Sequence, residues 1–246
     1  MGRPRAPIPG LVAGELRLTG PLARYLARVR RLRAGDALVA FDPATRREAD
    51  VEVVWAEPDA VTVRAGELRD GSRQAARDLT WVQGLAKGDK CDAVVRDATE
   101  LGVTRIIVTA TRRSIVRLDP RRALERQARW ARIAQEAARQ SGRSDVPRVD
   151  SPCGWSEALT RACVPGGLGF CLWERATDPL GPALQEALDL AGPLAFACGP
   201  EGGLEEREVD EARARGWMIA SLGRLALRTE TVAAAVLGAV RVLSEI

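Results

Sequence analysis

The 246-residue chain contains no histidine. That absence excludes the Ser-His-Asp and Cys-His mechanisms and HExxH zinc chemistry, and it removes the commonest general base. Any chemistry must rest on carboxylates, arginine, the backbone or a cofactor with its own reactivity. The five cysteines, Cys91, Cys153, Cys163, Cys171 and Cys198, are odd in number and widely spaced, with no CxxC pair. Buried free thiols are expected rather than a zinc site or a disulfide framework. The longest late apolar run, Val232 to Val240, is far short of the roughly 20 residues of a membrane span. The opening MGRPRAPIPG carries charge and proline where a secretory signal has its apolar stretch, and Ala6 stands where a myristoylation signal needs Ser or Thr. The expectation is a cytoplasmic protein with no membrane and no metal. Both phosphate-cradling fingerprints, GxGxxG and GxxxxGK(S/T), are missing. Lysine is nearly absent too: of 37 basic side chains only Lys87 and Lys90 are lysine.

What is present suits a globular chain of one large or two ordinary domains, 46% hydrophobic and 28% charged. The basic excess, 37 against 33, is unevenly placed. The first 33 residues hold Arg3, Arg5, Arg17, Arg24, Arg28, Arg30, Arg31 and Arg33 against one acid, Glu15, and a second cluster runs from Arg112 to Arg148. For any single arginine a solvated surface is the plain explanation; the clustering points to a polyanion.

Residues 1 to about 72 read as β, from DALVAFD, ADVEVVWAE and AVTVRAGEL with turn signals between them, and a small barrel is the natural solution. The polar stretch Glu67 to Asp78 is the linker candidate. From Leu79 strands and helices alternate. LTWVQGL, TRIIVTA, LGFCLWE, PLAFACG and WMIASLG read as strands. Helices are expected over CDAVVRDATELG, from Asp119-Pro120 to Ser141-Gly142, over Pro182 to Leu190, over Glu205 to Arg215, and from Thr229 to the end. The order implies an α/β domain with a mainly parallel sheet. The last helix, with Val232, Val236, Leu237, Val240, Leu243 and many alanines, is apolar nearly all round and expected to be buried.

Ligands of such sheets sit at the carboxyl ends of the strands. Three late strands end in Leu172-Trp173-Glu174, in Gly199-Pro200-Glu201-Gly202-Gly203 and in Ser221-Leu222-Gly223, the last followed by RLALRTET. Glu201, Glu205 and Glu206 occupy the helix start where phosphate would bind, and would repel it. Glycines still allow close backbone approach to an adenine or ribose, and carboxylates tolerate a cation. A phosphate-free nucleoside with positive charge, such as S-adenosylmethionine, has that character; a glycine-rich turn before an acidic helix is also a common plain connection.

With these residues in place, the chain resembles the RsmE family, SPOUT-class methyltransferases acting on N3 of a uridine in small-subunit ribosomal RNA. The resemblance covers nearly the whole chain. It rests on KGDKCDAVVRDATELGVTRI (87–106), RWARIAQEAARQSGRSDVPRV (129–149), CGPEGG (198–203), SLG (221–223) and LRTET (227–231), in order and at family-like spacing. It implies an N-terminal PUA-like β-barrel for RNA over 1–72, a SPOUT α/β domain with a trefoil knot over 73–246, S-adenosylmethionine as cofactor, and a homodimer acting on 16S rRNA in the 30S subunit. The chain departs from the family at Arg112, where an acid is usual, and at Leu225, where an arginine is usual; Arg224, one place earlier, either substitutes or faces solvent.

On this resemblance the cofactor is held by Leu172, Glu174, Gly199, Pro200, Gly202, Gly203, Ser221, Leu222, Gly223 and Leu227. Arg228 stabilises negative charge on the uracil oxygens, and Glu201 or Glu230 accepts the N3 proton, although an acid at 230 also simply suits the helix dipole. RNA is expected on Arg3, Arg5, Arg17, Arg24, Arg28, Arg112, Arg113, Arg139 and Arg143. Lys87 and Lys90 either serve a tight site near RNA phosphate or are ordinary surface lysines. Two rivals stand beside this reading: a related SPOUT enzyme methylating a ribose 2′-hydroxyl or a tRNA base, and a non-catalytic RNA-binding module.

Overall fold

The computed structural model describes residues 3–72, 75, 77–116, 118–190 and 192–244. Two compact units divide the chain: Met1–Gln74 with Ala138–Val146, and Ala75–Ala137 with Pro147–Ile246.

The first unit contains β1 (Arg5–Pro7), β2 (Gly14–Thr19), α1 (Gly20–Arg24), a π-helical turn (Tyr25–Val29), β3 (Ala37–Phe41), β4 (Arg47–Glu57), β5 (Ala60–Ala65) and β6 (Arg69–Asp70). The sheet order is β1-β3-β4-β5-β2, with β6 beside β4, and only β1 and β3 run parallel. Strict alternation over β5 sends Val61 and Val63 inward, where they pack with Leu26, Leu38 and Val53. The all-β reading of 1–72 is corrected at Gly20–Val29. Gly20 takes φ +73, Pro21 starts the helix, and Ala23 and Leu26 bury one face of it. The linker candidate is corrected in part. Arg69 pairs with Glu48 across the β6–β4 ladder, so the stretch starts within the sheet; residues 73, 74 and 76 lie outside the described residues.

A charged cluster closes this unit. The Glu48 carboxylate, 2% exposed, accepts from Arg5 at 2.5 Å, from the Ser144 hydroxyl at 2.7 Å and from Arg69 at 3.3 Å. The segment 138–146 is stitched in by the same contacts. Arg143 forks onto Asp145 at 2.9 and 2.8 Å, both buried, and the Arg139 guanidinium lies 3.7 Å over the Tyr25 ring.

The second unit runs β7 (Leu79–Gly84), α2 (Lys90–Glu100), β8 (Arg105–Ala110), α3 (Pro120–Ser141, whose last turn belongs to the first unit), β9 (Arg148–Val149), β10 (Cys153–Gly154), α4 (Trp155–Ala162), β11 (Leu168–Leu172), α5 (Leu180–Asp189), β12 (Leu194–Cys198), α6 (Glu206–Ala214), β13 (Met218–Ala220) and α7 (Thr229–Leu243). Its sheet is parallel throughout, in the order β10-β8-β7-β12-β11-β13 with β9 beside β8. The central strands β7 and β12 are buried at every residue, which is why their sequences are near-continuous apolar runs. Asp119 caps α3 as its sequence predicts, accepting from the Arg122 N–H at 2.9 Å. The sequence reading passes over α4, eight residues between proline- and glycine-bearing loops. Its Trp155 anchors it by donating to the Glu208 carbonyl at 2.9 Å.

The expectation for α7 needs correction. Val232, Val236, Leu237 and Val240 are buried against neighbours that include α2 and α5, but Val242 is 77% and Leu243 48% exposed. One stripe is buried in the single chain, not the whole surface. The thiols also split: Cys91, Cys171 and Cys198 are buried and free, whereas Cys163 is exposed. No described helix is long and apolar enough to cross a membrane.

Candidate functional site

The carboxyl ends of β11 and β12 and the loop after β13 enclose a cavity of about 820 Å³, within the usual range for small-molecule sites. Leu172, Trp173 and Glu174 leave β11; Cys198 to Gly203 leave β12; Leu222 to Arg228 join β13 to α7; Lys90 enters from the start of α2. All the sequence-predicted cofactor residues line it except Ser221. That residue instead exchanges backbone bonds with Asp178 and Leu180.

The Cys198–Gly203 loop is held by its neighbours at close quarters. A Cβ on Gly84 would lie 2.5 Å from the Pro200 nitrogen, and one on Gly199 would lie 2.7 Å from the Gly203 carbonyl carbon. Glycine at 199 is therefore required by the loop's own turn before any ligand approaches. Beneath the loop lies a neutral network that sequence reasoning missed. The fully buried Gln83 side chain accepts from Trp81 Nε1 at 3.0 Å and donates to Thr229 Oγ1 at 2.8 Å; Thr229 in turn donates to the Gly199 carbonyl at 2.7 Å. It ties the end of β7, the loop after β12 and the first residue of α7 together, with Arg228 the adjoining N-cap. The only sequence signal was one amide at the end of an otherwise apolar strand.

The acids do not all lie in the cavity. Glu205 and Glu208 form a capping box at the start of α6, and Glu208, 5% exposed, also accepts from the Arg112 N–H at 2.9 Å. Those carboxylates occupy the helix start that a phosphate would need. Glu201 accepts from Lys90 Nζ at 3.0 Å and from the Lys87 N–H at 3.0 Å. Burial pushes its carboxyl up, but its own backbone N–H, the Lys90 ammonium and the Lys87 N–H outweigh that and lower the pKa. Glu201 is thus ionised and fixed, and a weak base. Glu230 does not line the cavity; its Oε2 is buried without a partner among the described residues. Arg224 and Arg228 are exposed on the lining loop, with no described carboxylate in ion-pair range.

The predicted RNA residues separate into three groups. Arg5 and Arg143 are buried in ion pairs, beyond the reach of a phosphate, and Arg139 is stacked on Tyr25. Arg3 and Arg28 make exposed pairs with Asp50 and Asp59, which hold them weakly, and Arg17 and Arg24 are exposed without such a partner among the described residues. Arg112 lies 3.7 Å from Glu205, Arg113 donates to the Gly202 carbonyl at 2.8 Å, and the two lysines contact Glu201, so these four brace the loop between β12 and α6. Among the described residues no group of three or more His, Cys, Asp or Glu side chains is placed to hold a metal.

A nucleoside sulfonium fits this cavity on its own chemistry. Glu174 and Glu201 offer negative charge beside Lys90, Arg224 and Arg228, carboxylates take up the start of α6 where a phosphate would sit, and Trp173, a lining residue, has a buried indole N–H with no acceptor among the described residues. Comparison with known proteins agrees. Residues 73–241 match a family model described as an RNA methyltransferase domain, and 18–64 one described as an RNA methyltransferase PUA domain. Ribosomal RNA small subunit methyltransferase E of Bacillus subtilis (strain 168) is 30% identical, over 93% of this chain and 90% of that protein. Its counterpart of Mycobacterium tuberculosis (strain CDC 1551 / Oshkosh) is 32% identical, over 89% and 83%. The crystal structure of a ribosomal RNA small subunit methyltransferase E from Neisseria gonorrhoeae bound to S-adenosyl methionine superposes with a TM-score of 0.87 at 28% identity, covering 98% of each chain.

Proposed function

The chain belongs to the RNA methyltransferase family of S-adenosylmethionine-dependent enzymes, and from that premise we propose that it methylates N3 of a specific uridine of 16S rRNA in the small ribosomal subunit. The observation that carries the reading is the cavity at the ends of β11 and β12, lined by the glycine loop after β12, by the carboxylates of Glu174 and Glu201, and by Arg228 on the loop before α7. S-adenosylmethionine supplies an electrophilic methyl group whose thioether leaving group needs no proton. Leu172, Glu174, Gly202, Gly203, Leu222 and Leu227 would hold it. The chain's own task is to place uracil N3 in line and to ease loss of its proton. Arg228, with no carboxylate partner among the described residues, supports the negative charge that spreads onto the uracil oxygens. Glu201 is the lining carboxylate able to take the proton, but its ties to Lys90 and Lys87 weaken it as a base, so Arg228 carries more of the rate. A base-paired N3 is hidden, so the uridine must be unpaired or turned out of its stack.

The homodimer and knotted threading belong to the same reading. Exposed Leu225 (83%) and Val242 (77%) support an apolar interface; light scattering of the purified protein at micromolar concentration should give twice the chain mass.

The deciding experiment supplies methyl-labelled S-adenosylmethionine and 30S subunits lacking the modification, then digests the RNA to nucleosides. Label in 3-methyluridine from 16S rRNA is expected, with a loss of about 10²-fold or more in kcat for Arg228→Ala. Label in a 2′-O-methyl nucleoside, or none, would refute the proposal.

A further inference from the structure

A second concavity, of about 700 Å³, lies between the start of α2 and one face of α3. Arg122, Arg126, Arg129 and Arg132 line it from α3, at spacings of four, three and three residues that keep them on one face over roughly 15 Å of helix. Gly88, Asp89 and Asp92 line the other side, on the same turn and helix that send Lys90 into the cofactor cavity.

This stripe differs from a solvated arginine face because one member is set in place from below. The fully buried Trp130 donates its indole N–H to Asp92 Oδ1 at 2.9 Å. Asp92, 12% exposed, uses its other oxygen to hold Arg129, at 2.7 Å from Nε and 2.6 Å from one terminal nitrogen. The remaining terminal nitrogen has no hydrogen-bond partner among the described residues, and the Arg129 side chain stays 56% exposed. An arginine fixed along one edge has already lost the side-chain freedom that phosphate binding would otherwise cost. Its neighbours are available: among the described residues the Arg122 side chain makes one exposed 3.5 Å pair with Asp119, the Arg132 guanidinium one hydrogen bond, to the Ala128 carbonyl at 3.4 Å, and no carboxylate pairs with Arg126.

We propose that this groove binds the phosphodiester backbone of the RNA strand flanking the target nucleotide, with Arg129 as the pre-set contact and Arg126, Arg132 and Arg122 following the strand. The inference rests on the reading above of the protein as an RNA methyltransferase. Asp89, Asp92 and Glu125 also face the groove and repel a strand placed off the arginine stripe. They define its path. Several regularly placed contacts from one rigid helix suit a backbone of repeated phosphates better than a single small anion.

The test measures binding of a labelled single-stranded oligouridine by anisotropy across a salt series, and the KM for unmodified 30S subunits, on wild type, Arg126→Ala/Arg132→Ala and Arg129→Lys. The double variant breaks no ion pair with a described carboxylate. It should weaken oligouridine binding about tenfold and lower the salt slope by roughly 0.7 per lost contact, with S-adenosylmethionine affinity and melting temperature unchanged. Arg129→Lys keeps the charge but loses the fork, and should raise the KM for 30S with kcat unchanged. An unaltered salt slope in the double variant would overturn the proposal, as would polyglutamate of equal charge competing as well as RNA, which would mark a site for an acidic protein. Wild type that binds RNA through these arginines yet methylates none would support the groove and sink the enzymatic reading; active wild type with unaffected variants would do the reverse.

Discussion

The two units are each fastened by a buried polar cluster, and the clusters are built on opposite principles. In the first unit a carboxylate, Glu48, gathers Arg5, Arg69 and Ser144. In the second an amide, Gln83, gathers Trp81 and Thr229. The charged cluster holds a distant chain segment, residues 138–146, against a sheet; the neutral one holds backbone loops that line a binding cavity. Burying charge makes the cluster dependent on pH as well as on its partners, whereas a satisfied amide depends on its partners but does not titrate. The loop after β12 is thus tied from beneath by groups that do not titrate, while Lys90 and Arg113 hold it through Glu201 and the Gly202 carbonyl.

The sharpest way to break the contrast is Glu48→Ala, which leaves Arg5 buried without its counter-charge. About 3–5 kcal/mol of stability should be lost in chemical denaturation. Acid titration reads the same group more gently. Burial raises the Glu48 pKa, but the Arg5 and Ser144 hydrogen bonds, the Arg5 charge and Ser72 prevail and bring it to about 2. With the folded value below the ordinary 4.5, its contribution is complete above about pH 4.5 and lost as pH falls through about 2, on the order of 3 kcal/mol. Glu48→Gln should flatten that part of the stability curve; an unchanged acid limb would show that other carboxylates dominate.

Two substitutions address the neutral side. Gly84→Ala drives a Cβ into the Pro200 backbone and should cost about 1–3 kcal/mol while weakening S-adenosylmethionine binding in calorimetry. Gln83→Leu orphans the Trp81 indole and one Thr229 contact, with a similar cost of about 1–3 kcal/mol that does not vary between pH 4 and 8. A pH-dependent loss there would erase the distinction. The smallest effect belongs to the surface: Arg28→Ala, whose pair with Asp59 is 59% and 68% exposed, should change stability by no more than about 0.5 kcal/mol.

Much of this architecture was readable from residue order. The central strands announced themselves as apolar runs, Asp119-Pro120 marked a helix start, and the glycine loops at 199–203 and 221–223 fell at strand ends where a parallel sheet places ligands. The missing parts have physical reasons. Helix α4 is short and leans on a tryptophan whose partner, Glu208, is 53 residues away. Which arginines stay free depends on acids far off in sequence: Arg5 meets Glu48 at a separation of 43 residues and Ser144 at 139. Charge clustering alone could not distinguish Arg5 and Arg143, which are internal ties, from Arg17 and Arg24, which face solvent. Gln83 looked like one polar residue in a strand because Thr229, which joins it to the loop after β12, lies 146 residues further along the chain.

The first unit's dependence on residues 138–146 also sets an order of events during synthesis. As the chain emerges N-terminus first, the strands from Arg5 to Asp70 are complete long before Ser144 exists, and Glu48 must wait with its bond to Ser144 unmade. Most of the catalytic unit's first half, through α3, is translated in that interval. The barrel-forming segment is therefore finished only after the chain has passed into the other unit and returned, so a fragment ending near residue 74 would be an unfinished fold rather than a detachable RNA-binding module.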